Sequence, residues 1–148
     1  VPFKPARPHN PVIERRQRIT GLTHKNEEAR LDFTPSRDGF FVTASSGSQR
    51  FVHVSDGKHL KTGLNTGSAA PEYRGKGMES AVVAHLLELA AEHGGSLEIQ
   101  RIPDQRWLSH LVEKMGGVRI NSNVRWASEH LGPDAPWHAF LLRHAKRE

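Results

Sequence analysis

One stretch constrains this chain more than any other: a glycine-punctuated basic loop that runs without a break into an apolar-faced segment. The loop is Pro71-Glu72-Tyr73-Arg74-Gly75-Lys76-Gly77-Met78, and the segment continues to His93. Glycine lets the backbone turn tightly and approach a ligand closely. A helix that begins directly after such a loop presents backbone N–H groups that have no intrahelical partner, and these attract anions. Arg74 and Lys76 add positive charge. The ligand class that fits is a phosphate or pyrophosphate. The alternative is a plain surface turn with solvated Arg74 and Lys76, and the immediate start of the helix favours the anion.

The flanking segments supply a framework. Phe40–Ala44 and Arg50–Ser55 are apolar and β-branched at a period of two and read as strands, with a turn at Ser45–Ser48. Asp56-Gly57 is a strong hairpin signal. The next strand is expected within Lys58–Ala70. Met78, Val82, His85, Leu86, Leu89 and His93 share one helical face, and Gly94-Gly95 ends the helix. Ser96–Gln100 reads as a strand that a right-handed crossover joins to the earlier one. Pro103-Asp104 opens a second helix over Gln105–Lys114, stopped by Gly116-Gly117. Val118–Trp126 reads as a strand turned at Asn121-Ser122-Asn123, and Trp137–Leu142 as a last strand. Residues 14–30 are polar, with a short helix expected from Thr23 to Leu31.

Composition bounds the class. A chain of 148 residues with 36% hydrophobic and 25% charged side chains suits one folded domain with a real core. It has no cysteine, which excludes disulfides, thiolate metal sites and cysteine nucleophiles. Its histidines show no His-x-x-x-His spacing, so no metal site is expected. No apolar run reaches membrane-spanning length, and an intracellular, cytoplasmic protein is expected, or one inside a particle assembled there. Of the net +5 charge, +4 lies in residues 1–18, where Lys4, Arg7, Arg15, Arg16 and Arg18 face Glu14 alone. Pro2, Pro5, Pro8 and Pro11 make the start of that segment extended. The chain therefore divides into a basic, proline-rich arm over 1–18 and a folded domain over 19–148. The arm suits an acidic protein surface better than nucleic acid.

With these elements in order, the chain resembles the GNAT superfamily, the Gcn5-related N-acetyltransferases. Arg74 and Gly77 match fixed positions of that family's loop, and Leu111-Val112-Glu113-Lys114-Met115-Gly116-Gly117 resembles the end of its second helix. The resemblance spans roughly residues 39–144. It implies a mixed α/β domain with a central mixed sheet flanked by helices. It also implies that Arg74, Gly75, Lys76, Gly77, Met78, Glu79 and Ser80 hold the pyrophosphate of acetyl-coenzyme A. Two central parallel strands would part to admit the pantetheine arm, and an amine would take the acetyl group. Glu79 stands where the family has Gly or Ala, and Val112 where it has an acidic-proton-bearing Tyr. The strand before the loop offers Asn65 and Thr66 but no carboxylate. No catalytic residue is identified, although His53 and His59 titrate in the right range for a base. The alternative is a non-catalytic subunit of this fold within a larger assembly such as a virion.

Overall fold

A computed structural model describes residues 12–63 and 75–148. The four prolines of the arm, with Asn65, Thr66, Tyr73 and Arg74, lie outside those residues. The fold is mixed α/β: one nine-stranded sheet with two helices. The elements in chain order are β1 (Gln17–Leu22), β2 (Glu28–Ser36), β3 (Gly39–Ala44), β4 (Gln49–Ser55), β5 (His59–Gly63), α1 (Met78–Glu92) and β6 (Ser96–Gln100). They are followed by α2 (Gln105–Ser109), β7 (Val118–Ile120), β8 (Asn123–Trp126) and β9 (Arg143–Arg147). A wider helical turn, His110–Lys114, prolongs α2. The sheet order is β7-β8-β6-β5-β4-β3-β2-β1-β9.

Pairing is antiparallel everywhere except between β5 and β6, which α1 connects. A parallel pair needs a crossover, and the loop and helix provide it. Strands β2 to β4 alternate buried and exposed side chains, so one face of the sheet carries the core. Leu31, Phe33, Phe40, Val42, Val52, Leu60, Leu97, Ile99, Val124 and Trp126 line it, and α1 packs on it through Ala81, Val82, Val83, Leu86 and Leu87. Val12 and Ile13, just before β1, also belong to this core.

Three expectations are corrected. The segment Thr23–Leu31 is a β-hairpin, not a helix. Ala29, Leu31 and Phe33 are buried at a period of two, and Leu31 and Phe33 pair with Ile19 and Gln17 of β1. Thr23 does accept local backbone bonds, from the amides of Lys25 and Glu27, but these close the turn between strands. The segment Trp137–Leu142 is not a strand. Pro136 starts a 3-10 turn over Pro136–Phe140, and it places Trp137 in the core with its indole N–H on the His130 carbonyl at 3.4 Å. The last strand is instead β9, wholly exposed, paired to β1 at the far edge of the sheet. Finally, α1 is buried almost all round rather than on one stripe, and His85, expected at the boundary, is 1% exposed.

His85 fastens the C-terminal strand to α1. Its Nε2 accepts the Leu142 amide at 3.2 Å, so the ring proton sits on Nδ1, 3.2 Å from the Glu88 carboxylate. Arg147 of β9 donates to the same carboxylate at 2.7 Å. Burial pushes the Glu88 carboxyl up, but the hydrogen bonds from His85 and Arg147 and the Arg147 charge outweigh it and hold it at about 2.

Candidate functional site

The amino end of α1 is built by three segments that are distant in sequence. Gly75 and Gly77 have φ of +74° and +89°, a left-handed backbone that an L side chain adopts only at a cost. Gly77 is the N-cap of α1 and supplies no side-chain cap, and its carbonyl takes the first intrahelical bond, from Ala81, at 3.1 Å. The first-turn amides that follow have no intrahelical acceptors, and they lie at the positive end of a 15-residue helix.

The β1–β2 turn closes on this loop from one side. The Thr23 hydroxyl donates to the Lys76 carbonyl at 2.7 Å, and Lys76 Nζ reaches Glu27 at 3.3 Å. A Cβ on Gly77 would lie 2.9 Å from His24 Nδ1 and 3.1 Å from Thr23 Cβ, so the two segments touch. A chain of rings continues from there. His24 meets Phe140 edge-on at 4.7 Å, Phe140 meets His110 at 5.1 Å, and His110 stacks on Trp107 at 5.2 Å. His110 Nε2 is 2.9 Å from the Ser80 hydroxyl.

From the sheet side comes Arg50, on the core face of β4 with its side chain only 5% exposed. Its Nη2 donates to the Glu79 carboxylate. Glu79 therefore has a cation beside it, and it also suits the first turn of a helix. The other terminal nitrogen of Arg50, Nη1, is buried and without a partner, as are His24 Nδ1 and the Trp107 indole nitrogen. Of the four such side-chain atoms among the described residues, Arg50 Nη1 and His24 Nδ1 thus belong to groups that touch the start of α1, and Trp107 stands one ring away, stacked on His110; the fourth is Ser36 Oγ. A buried donor left unpaired costs about 1–3 kcal/mol. Two of these three groups, the guanidinium and the indole, can only donate, so the arrangement lacks acceptors and suits an anion.

The expected cradle residues are placed as follows. Gly75, Lys76 and Gly77 form the loop, with the Gly75 Cα facing open space. Met78 is 3% and Ser80 5% exposed, so what they offer a ligand is backbone. The side chains of Lys76, Glu79 and Ser80 are engaged with Glu27, Arg50 and His110. Val112 packs against the core. His53 lies on the opposite face of the sheet, and His59 bonds to Ser96 at 2.7 Å; neither is at the start of α1. Sequence reasoning missed His24, Arg50 and His110. Arg50 had one visible signal, since it shares its strand parity with Val52 and Val54.

The two imidazoles are held neutral. Burial lowers His24, and Lys25 adds to the effect. Burial also lowers His110, with further contributions from His24, Lys114 and Lys25. Below the ordinary value of 6.5 the unfolded chain therefore binds more protons than the folded one, and stability falls as pH drops. Glu88 acts in a separate window. Its contribution is complete above 4.5 and is lost as pH falls toward 2. We expect thermal unfolding against pH to show both declines. His110→Gln should flatten the upper one. Glu88→Gln should remove the lower one, worth about 2–3 kcal/mol, toward the lower figure because Arg147 is half exposed.

Among the described residues no three His, Asp or Glu side chains are grouped to hold a metal, and no helix is long and apolar enough to cross a membrane. Compared with known proteins, the chain matches no family model, no curated protein and no solved structure.

Proposed function

We propose that the start of α1 binds the pyrophosphate of an acyl-coenzyme A, and that the chain is a GNAT-type N-acyltransferase moving an acetyl group to an amine. The observation that carries this reading is Arg50: a guanidinium almost wholly buried beside an uncapped helix N-terminus, with one terminal nitrogen unpartnered. An oxyanion there would satisfy Nη1 and the first-turn amides together. The topology agrees with what the resemblance implies. A strand, the glycine loop, a helix and a parallel strand stand in that order, with antiparallel hairpins on both sides. Bound at this place, the cofactor would supply a thioester carbonyl for attack by the amine. The chain's part is to hold the phosphates through Gly75–Ser80 and to exclude water through the His24–Phe140–His110 rings. No proton-transfer residue is assigned.

One observation favours a second reading, a non-catalytic subunit of the same fold. Strands β5 and β6 stay paired over all five positions from His59↔Ser96 to Gly63↔Gln100, so no opening for a pantetheine arm exists along them.

Thermal unfolding with millimolar acetyl-coenzyme A separates the two. A ligand at about a hundred times its Kd stabilises by about 2.7 kcal/mol, or roughly 5–11 °C for a domain of this size. We expect such a rise, retained with the desulfo analogue and with dephospho-coenzyme A, which keeps the pyrophosphate, and absent with pantetheine, which lacks it. An unchanged Tm at every ligand concentration would favour the non-catalytic subunit.

A further inference from the structure

We infer that the helix-free face of the sheet binds single-stranded nucleic acid, with Phe41 and Phe51 as the surface on which bases stack. The helices and the core lie on one face only. Among the described residues no element packs on the other. The four exposed large hydrophobic side chains of those residues, Phe41, Phe51, Val118 and Ile120, all project from this open face. Phe41 and Phe51 are direct cross-strand partners on β3 and β4, 37% and 38% exposed, with ring centroids 5.1 Å apart. Their mutual contact supports the β3–β4 pair, yet more than a third of each ring remains exposed on a face that no described element covers.

What surrounds the rings identifies the ligand. The row through them continues from Thr34 through Phe41 and Phe51 to Gly63 and Gln100, so no side chain at Gly63 walls the ring of Phe51. The rows on either side are charged in a repeated pattern. On one, Asp32 is bracketed by Arg18 and Arg30 at 2.8 and 3.1 Å. On the other, Glu98 stands across from Lys61 on β5 and Arg125 on β8, with His53 next in line. Asp32 thus meets two cations, Arg30 reaching it from the adjoining row, whereas Glu98 accepts from Gln100 at 2.7 Å and has Lys61 and Arg125 only as its neighbours in register; each group of three charges is net +1. An aromatic strip flanked by two charge groups that are each net positive matches bases along its middle and phosphates along its edges. A second copy of the chain fits less well. Val118 and Ile120 are separated from the phenylalanines by β5, β6 and β8, so the apolar area is not continuous as the core of a subunit interface is. This inference is independent of the acyl-coenzyme A reading, which concerns the opposite face of the sheet.

The test is fluorescence anisotropy of labelled dT and U 12-mers with the intact protein, at several salt concentrations. Micromolar binding is expected, weakening with salt by a log–log slope of about −1.4 to −2.8, as contact with two to four phosphates gives. Phe41→Ala and Phe51→Ala should each lose about tenfold in affinity while staying folded, with Tm lower by about 2–4 °C for the lost cross-strand ring contact. Phe51→Trp should retain binding, and Arg106→Ala on α2 should leave it unaltered. Acetyl-coenzyme A should not compete. Absence of binding, indifference to both alanine variants, or competition by acetyl-coenzyme A would overturn the inference. Sedimentation showing a dimer that Phe41→Ala dissociates would do so too, and would assign the face to a second copy of the chain.

Discussion

Replacing Glu79 with alanine is expected to lower stability by about 3 kcal/mol, far more than loss of a carboxylate from the first turn of a helix normally costs. The cause lies in its partner. Arg50 is on the core side of β4 with 5% of its side chain exposed, and Glu79 is the acceptor for its Nη2. Without the carboxylate the guanidinium is left buried with both terminal nitrogens unpaired, since Nη1 has no partner already. The penalty is therefore one of a stranded charge rather than of a lost attraction. Arg50→Met alone should cost less, because Glu79 is 30% exposed and can be hydrated. Combining Arg50→Met with Glu79→Ala should recover most of the loss, as for other buried ion pairs replaced by apolar groups. Thermal or urea unfolding of the three variants measures this. Glu79→Ala should unfold roughly 6–12 °C below the parent. Equal effects of the two single substitutions would mean that Arg50 is not the stranded partner.

The second large effect is expected at Gly77. Gly77→Ala should destabilise by about 2–3 kcal/mol, whereas Gly75→Ala should cost about 1 kcal/mol. Both residues have positive φ, so both substitutions incur backbone strain. They differ in their surroundings. A Cβ at Gly75 meets nothing within 4 Å, but one at Gly77 falls 2.9 Å from His24 Nδ1 and 3.1 Å from Thr23 Cβ. The β1–β2 turn would have to withdraw, which stretches the Thr23 hydroxyl bond to the Lys76 carbonyl. Urea midpoints of the two variants should therefore differ clearly. Similar midpoints would show that the turn does not rest on the loop. Amide exchange at Lys25 and Glu27, which donate to the Thr23 hydroxyl, should rise in Gly77→Ala only.

The middle of the chain was legible because its patterns are local. Phe40–Ala44 and Arg50–Ser55 alternate cleanly, and Asp56-Gly57 forms the tight turn its residues demand, with both at positive φ. Asp104 caps α2 by accepting from the amides of Arg106 and Trp107, as its place before an apolar run suggested. The N-terminal hairpin was hidden because Thr23, Glu27 and Glu28 favour a helix start equally well, and only pairing with β1 and β3 decides for a strand. Strand β9 carries five exposed residues and no apolar rhythm; backbone pairing with β1 and the Arg147–Glu88 contact hold it. The glycine loop at the start of α1 was readable from sequence alone. Its supporting side chains, His24, Arg50 and His110, were not. They come from three separate segments, and only the closed fold brings them to one helix end.

The same convergence makes the proposed seat of an acyl-coenzyme A phosphate at the start of α1 directly testable. The measurement is a two-dimensional amide NMR titration of the labelled protein with acetyl-coenzyme A. The largest shifts are expected on the amides of Gly75, Gly77, Met78 and Glu79 and on the indole N–H of Trp107, with smaller ones at His24 and His110. Shifts confined to the open face around Phe41 and Phe51, or no shifts at millimolar ligand, would contradict that seat.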